Sequence, residues 1–495
     1  MLPFLYFVLL LTVSSFGFSL AEKPQLSNKT FPKNFSFGAT TSAYQIEGAW
    51  NLDGKSQSVW DNATHRIPGI IKDLSNADIA CDSYLKYKED VALLKALGVQ
   101  HYRFSLAWTR ILPTGFADEV NEIGVNHYKN LIRELKNNQI QPMVTLYHQD
   151  LPQVLMDRGG TLNPLFPKWF EDYARVCFES FGDDVKHWFT INEPYIDCTV
   201  GFISGGLREG IDNYICAKHH LMAHAAAWHL YDNEFRARQG GKIALVLNSD
   251  WMEPASHSAE DVTAAATRMQ FIWGWFGHPI YYGDWPDIMK TRIAMRSKLE
   301  GFNESRLPEL TQEEIAYIKG TNDFFAVNTY TTTIVQAIEE PEISSPSLDK
   351  DIGVNAYQCS DCIASPSMSW LKFVPWGTRK LLKWFKDEYF NPDILITENG
   401  WADGTGQLDD DVRENYIKEY LSNIRDAMEK DGVKVIGYTL WSLLDNFEWA
   451  SGFTAKFGTI QVDFSSPNRT RTRKKSSFYY ERVCRTHCLV GTCEE

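Results

Sequence analysis

Two short apolar runs end on a carboxylate. One, from Asp393 to Trp401, reads Asp-Ile-Leu-Ile-Thr-Glu-Asn-Gly-Trp, and the other, from His187 to Pro194, reads His-Trp-Phe-Thr-Ile-Asn-Glu-Pro. In the first, Ile394, Leu395 and Ile396 present apolar side chains to both faces, which suits a strand buried on both sides as in a parallel sheet. Such a strand lifts its last residues to the C-terminal edge of the sheet, where α/β enzymes place their chemistry. Glu398 and Glu193 therefore read as the two acids of one site, a pairing suited to acid–base and nucleophilic work.

Other strand ends carry polar or aromatic groups in the same way: Gln45, Arg103, His148, Asn192 beside Glu193, Asn328 with Tyr330, and Trp441 followed by Glu448 and Trp449. Singly, each has a plain structural explanation, since a lone histidine is usually satisfied in the core and a lone glutamate is usually solvated. Together they would converge on one pocket, and a ring of bidentate polar groups and aromatic faces is what a hydroxyl-rich ligand requires.

The elements that must position these residues alternate regularly. Strand-like runs cover 35–43, 102–105, 142–147, 187–193, 242–248, 324–328, 393–398 and 435–441. Between them lie runs with helical spacing at 82–97, 125–137, 166–181, 211–238, 259–275, 311–319, 377–389 and 409–430. Eight βα units without an internal repeat or a Gly/Ser linker predict an α/β fold, a single (β/α)8 barrel with long βα loops, over residues 22–495. The Pro/Ser-rich stretch 339–369 reads as a long loop on the C-terminal side of the barrel, and the basic run 469–475 as a solvated loop.

A chain of 495 residues with 44% hydrophobic content can bury a large core, which argues against disorder. The 63 acidic against 49 basic residues give a net charge of -14, disfavouring nucleic acid and anionic membrane surfaces as partners. Residues 1–21 carry no charged side chain and contain Leu5-Tyr-Phe-Val-Leu-Leu-Leu11 before Ser19-Leu-Ala21, the pattern of a secretory signal peptide cleaved after Ala21. No other stretch has the roughly 20 apolar residues of a membrane span, so a secreted protein without membrane attachment is expected after signal removal. The composition leaves room for a homodimer. Nine cysteines include plausible bridges between Cys198 and Cys216 and between two of Cys484, Cys488 and Cys493. The Cys359-x-x-Cys362 pair reads as a loop disulfide or free thiols. Asn28, Asn34, Asn62, Asn303 and Asn468 open glycosylation sequons.

Several stretches together make the chain resemble the family 1 glycoside hydrolases, the β-glucosidase family, from Phe31 to Val483. They are Phe35-Ser-Phe-Gly-Ala-Thr-Thr-Ser-Ala-Tyr-Gln-Ile-Glu-Gly48, Arg103-Phe-Ser105, Thr190-Ile-Asn-Glu-Pro194, Ile396-Thr-Glu-Asn-Gly400 and Asp445-Asn-Phe-Glu-Trp449. The resemblance implies a (β/α)8 barrel, small β-glycoside substrates, and neither metal nor cofactor. By position it implies Glu193 as acid/base and Glu398 as nucleophile, with Tyr330 and Arg103 beside the nucleophile. It implies glycone contacts from Gln45, His148, Asn192, Trp441, Glu448 and Trp449, and an aglycone platform at Trp370. Asn328 and Phe457 join the substrate-binding set.

The chemistry agrees with that assignment. A retaining glycosidase holds its two carboxyl groups about 5 Å apart, one to attack the anomeric carbon and one to protonate the leaving oxygen. At that separation both resist ionising together, so Glu193 should stay protonated while Arg103 and Tyr330 hold Glu398 as the anion. Some positions depart from the family: Gln149 stands where tryptophan is usual after His148, Lys456 where arginine is usual before Phe457, and Gly205-Gly-Leu-Arg208 lacks the usual Ala-Pro-Gly. The expected activity is hydrolysis of terminal β-D-glucosides through a covalent glycosyl-enzyme. Thioglucoside hydrolysis of the myrosinase kind, a non-catalytic sugar-binding role and transglycosylation are the alternatives. Aglycone selection is expected from Trp370 and from loops 203–208 and 271–275, with Arg208 a candidate partner for a sulfated aglycone.

Overall fold

A computed structural model of the chain describes residues 26–200 and 206–494, so the signal-peptide segment and part of loop 203–208 lie outside the described residues. Eight parallel strands close into a barrel: β1 (Ser36–Thr40), β2 (His101–Ser105), β3 (Gln141–Tyr147), β4 (His187–Asn192), β5 (Lys242–Asn248), β6 (Phe325–Asn328), β7 (Ile394–Asn399) and β8 (Val435–Trp441). The ring shuts where β8 pairs with β1, Gly437 opposite Ser36 and Trp441 opposite Thr40. Strands β2, β6 and β7 are buried along their whole length, as their continuous apolar character requires. The barrel interior is plugged by Met143, Phe189, Ala244, Val246, Phe324, Ala326 and Leu395.

Helices wrap the outside in the expected alternation. Phe166–Phe181 shows why: Phe166, Phe170, Tyr173, Ala174, Cys177, Phe178 and Phe181 recur every three or four residues, and all are buried against the barrel. The helical reading at 211–238 becomes Asp212–Leu230 continued through a wide turn at Tyr231–Phe235 into Arg236–Gln239. The first strand is shorter than expected and is followed by a helical turn, Ala43–Ile46, that carries Gln45. No helix among the described residues is long and apolar enough to cross a membrane.

The barrel strands stop where the site needs them to. Pro194 disfavours a right-handed helical conformation in the residue before it and suits the first position of a helix, here Pro194–Thr199. Glu193 is left between strand and helix in a left-handed conformation, φ +47°. At β7 the register with β6 slips between Ile396 and Glu398, an irregularity of the kind that re-aims a side chain at a strand end. Gly400 lets the end of β7 lie against the end of β8, since a Cβ there would stand 1.7 Å from the Trp441 carbonyl oxygen.

Two sequence expectations need correction here. Stretch 339–369 is only partly loop: it contains the helix Leu348–Ile352 and the strand Val354–Gln358, which pairs antiparallel with Thr332–Ala337. The exposed edge of Thr332–Ala337 supplies ladder partners that the Pro/Ser-rich composition concealed. The basic run 469–475 is not a solvated loop. Arg471–Arg473 is a strand paired with Ile460–Val462, and the chain continues into the helix Lys475–Thr486, the last of the outer ring. Lys474, fully buried, donates to Asp445 Oδ1 at 2.8 Å, and Gly458 N donates to the same oxygen at 2.9 Å. Arg413 completes the cluster through Asp403 and Asp410. These charges anchor the loop after β8, which carries Glu448 and Trp449.

The cysteine expectations resolve into three disulfides, Cys198–Cys216, Cys359–Cys362 and Cys488–Cys493, while Cys81, Cys177 and Cys484 are free and buried. Of the sequons, Asn28, Asn34, Asn303 and Asn468 are exposed and Asn62 is half-buried.

Breaking a buried ion pair by removing one partner typically costs about 3–5 kcal/mol, because the other charge is left uncompensated. Lys474→Met should therefore lower the thermal midpoint markedly. The double variant Lys474→Met/Asp445→Asn should melt above the single one, and differential scanning calorimetry of the three proteins checks that order.

Candidate active site

A cavity of about 600 Å3 opens at the C-terminal ends of the barrel strands. All the residues selected from the sequence line it except Gln45 and Arg103, which sit directly behind its wall. From β7, Glu398 points into the cavity with only 4% of its surface exposed. Its Oε1 accepts from Arg103 Nη1 at 2.5 Å, and its Oε2 accepts from the Tyr330 hydroxyl at 2.8 Å. Burial, reinforced by the Glu398 charge, pushes the Tyr330 hydroxyl far above its usual range, so it is the donor in that contact.

Arg103 fans out from β2. Besides Glu398 it donates from Nη2 to Asn192 Oδ1 at 2.7 Å and from Nε to Thr145 Oγ1 at 3.1 Å. Asn328, at the end of β6, donates to Asn192 Oδ1 at 3.1 Å and to Glu193 Oε1 at 2.7 Å. Its orientation is set by Thr397 Oγ1, which donates to Asn328 Oδ1 at 2.7 Å. Four strand ends are thus linked by one chain of polar contacts that runs from one glutamate to the other.

Their environments separate the two acids. Glu193 keeps part of its surface open to the cavity, yet burial first and the Glu398 charge second push its pKa up to about 8. At neutral pH it is predominantly protonated, and a protonated carboxyl can deliver its proton. Glu398 has a guanidinium and a hydroxyl donor, both of which favour its anion.

The other wall is aromatic and acidic. His148 lies nearly parallel to Trp441 and Trp449, with ring planes inclined by 12° and 14°. Burial, and then Arg103, hold its pKa well below the usual imidazole value, so the ring is neutral. Glu448 is 8% exposed, and burial followed by the Glu398 charge raises its pKa to about 8. Gln45 donates to Glu448 Oε2 at 3.3 Å and to the Phe447 carbonyl at 3.0 Å, while Ser42 Oγ donates to Gln45 Oε1 at 2.7 Å. At the mouth, the half-exposed Trp370 stands edge-on to Tyr330, and Phe457 packs on the same tyrosine.

Several functional positions escaped the sequence reading. Asn248, Ser249 and Asp250 follow β5 and line the cavity. Asp250 Oδ1 accepts from the backbone N–H groups of Tyr330 and Thr331, both at 2.9 Å, and so fixes the turn that aims Tyr330. Collecting polar residues at the end of β5, as at the other strands, would have found them. Thr145 and Thr397 had no signal, since threonine inside a strand is ordinary. Conversely, segment 271–275 is not a rim loop: Phe271, Trp273 and Trp275 are buried, and Trp273 packs on Phe325. Arg208 pairs with Asp212 at 2.7 Å away from the cavity lining, and Lys456 also lies outside that lining, over the ring of Phe464.

The family model described as Glycosyl hydrolase family 1 matches residues 27–488. Myrosinase 1 of Brevicoryne brassicae is 44% identical over 470 residues, 92% of this chain and 98% of that protein. The cytosolic beta-glucosidase of Homo sapiens is 40% identical over 470 residues, 93% of this chain and 99% of its own length. Among solved structures, an aphid myrosinase superposes with a TM-score of 0.89 at 44% identity, covering 93% of this chain and 100% of the other. A variant rice beta-glucosidase in a covalent complex with Glc superposes with a TM-score of 0.87 at 36% identity, covering 94% of this chain and 100% of the other.

Because the folded state holds the Glu448 carboxyl neutral up to about pH 8, its contribution to stability is complete below about pH 4.5 and is lost as pH rises through 8. Glu448→Gln removes the charge that must be formed in a buried site. Its thermal midpoint relative to the wild type should rise steadily between pH 5 and pH 8.5, by roughly a few degrees, in scanning fluorimetry across that range.

Proposed function

This chain belongs to glycosyl hydrolase family 1 and is a retaining β-glycosidase, and from that premise we propose that its substrates are terminal β-D-glucosides carrying neutral, apolar, oxygen-linked aglycones. We also propose that it is secreted. The observation that carries the substrate reading is the charge layout of the cavity. Its lining holds the carboxyl groups of Glu193, Asp250, Glu398 and Glu448 but no lysine or arginine among the described residues. The sequence Gly201-Phe-Ile-Ser-Gly205 that completes the neighbouring loop contains no cation either. An anionic aglycone such as a sulfated thioglucoside would meet four carboxyl groups and no counter-charge. Ile196, Met368, Trp370 and Phe457 offer an apolar surface instead.

The chemistry runs in two displacements. The Glu398 carboxylate attacks the anomeric carbon while Glu193 gives its proton to the departing glycosidic oxygen, so the aglycone leaves as a neutral alcohol or phenol. Glu398 is then an ester without charge, which removes the repulsion that had kept Glu193 protonated. The Glu193 carboxylate takes a proton from water as that water attacks the same carbon, Glu398 leaves as the anion, and the β configuration is restored. Tyr330 and Arg103 hold the nucleophile during attack and stabilise its charge on release.

A thioglucoside aglycone needs no proton, so the similarity to two myrosinases keeps that activity as the second reading. The acid held ready at Glu193 and the cation-free lining favour oxygen-linked substrates. Secretion is supported by the uncharged apolar run near the N-terminus, three disulfides and four exposed sequons.

Aryl O-β-glucosides should be hydrolysed with β-glucose as the first product seen by NMR, and a glucosinolate should be turned over at least about tenfold more slowly. Turnover confined to thioglucosides would overturn the substrate reading. Glu193→Gln should lower kcat/KM by about 10²–10⁴-fold for glucosides with poor leaving groups, with a much smaller loss for a dinitrophenyl glucoside. The alkaline limb of kcat/KM in the wild type should fall near pH 8, where Glu193 loses its proton.

A further inference from the structure

Gln149 stands one residue beyond the β3 end, between His148 and Asp150. Its backbone is left-handed, φ +63°, which a non-glycine residue adopts at a cost and which is concentrated at functional sites when it occurs. The residue is 4% exposed and lines the cavity, so the little surface it keeps is turned towards the ligand space. The neighbouring polar groups are satisfied: Asp150 Oδ1 accepts from His148 N at 3.3 Å, and the Asn192 amide is engaged by Arg103, Asn328 and His148. The Gln149 amide has no hydrogen-bond partner among the described residues. A side-chain amide carries two donors and an acceptor, and burying it without partners costs free energy that a native site ordinarily recovers through a ligand.

We propose that Gln149 is a specificity-determining residue of the sugar pocket: its side-chain amide hydrogen-bonds one ring hydroxyl of the bound glycone. This rests on the reading of the cavity as a β-glucoside site. An amide can donate to and accept from a hydroxyl, and a site built to pair with a hydroxyl rejects an analogue that lacks it far more strongly than an apolar wall does. The strained backbone is then explained, since it turns the side chain of the residue after His148 inward. The contact would select among sugars at one hydroxyl position, separately from the proton transfers at Glu193 and Glu398.

The test uses Gln149→Met, which keeps side-chain length and removes the amide, with 4-nitrophenyl β-glucoside and its 3-, 4- and 6-deoxy analogues. The variant should lose about 10–100-fold in kcat/KM on the parent glucoside. On one of the deoxy analogues the loss should shrink to about twofold or less. Equal losses on every analogue, or no loss on the parent, would overturn the proposal. Gln149→Asn, which tolerates a left-handed backbone and withdraws the amide by one methylene, is the companion should Gln149→Met fold poorly, and it should show the same selective loss. Calorimetric affinity for 1-deoxynojirimycin, compared between wild type and variants, separates the two readings. If the wild type binds this sugar mimic but hydrolyses no β-glycoside, the functional reading falls while Gln149 is still judged. An unchanged Kd in both variants overturns its role.

Discussion

Arg103 is the cation on which this carboxyl-rich pocket depends. It is 1% exposed, sits behind the cavity wall and meets Glu398, Asn192 and Thr145 with its planar fork of donors. A buried charge needs a partner and its remaining donors need acceptors, and here both requirements are met by residues from separate strands. Placing one fixed positive charge beside Glu398 makes that glutamate the anion of the pocket. Glu193 and Glu448, which lack such a partner, are pushed towards neutrality by burial and by the Glu398 charge. The division of labour between an acid and a nucleophile therefore follows from where a single guanidinium is allowed to stand.

The barrel makes that placement rigid. Arg103, Asn192, Asn328 and Glu398 come from β2, β4, β6 and β7, whose ends face one opening because all eight strands run parallel. The polar chain through the two asparagines locks the strand ends to one another, and Asp250 holds the turn that carries Tyr330. The buried cluster of Lys474, Asp445 and Arg413 does the same for the loop bearing Glu448 and Trp449. Local departures from regular geometry, at Glu193, Gln149 and the slipped register of Glu398, are concentrated where the cavity is. Such strain persists only when the surrounding structure over-determines it.

The scaffold is shared with proteins named for oxygen-linked and for sulfur-linked glucosides, so the fold and the two glutamates do not separate those activities. Discrimination falls to the lining of the mouth. There the absence of basic side chains among the described residues, the apolar contacts around Trp370 and the unsatisfied amide of Gln149 distinguish one ligand chemistry from another.

The alternation of apolar strands with amphipathic helices was enough to establish the barrel, because periodicity is a local property and eight repetitions of it admit few architectures. Strand-end reasoning also brought Glu193, Glu398, Asn192, Asn328, Tyr330 and Trp441 to one opening. It could not find Asp250 or the two threonines that orient the polar chain, since their roles exist only through neighbours distant in sequence. It also misread two kinds of segment. A run of basic residues looks solvated until acidic partners from other elements close over Lys474, and an aromatic stretch such as Phe271 to Trp275 fits a rim as well as a core. Which way Gln149 faces, which carboxyls stay protonated and which charges are absent from the mouth were likewise decided by tertiary structure. Burial, pairing and pKa are properties of three-dimensional neighbourhoods, whereas the order of residues along the chain records the periodicity from which those neighbourhoods are assembled.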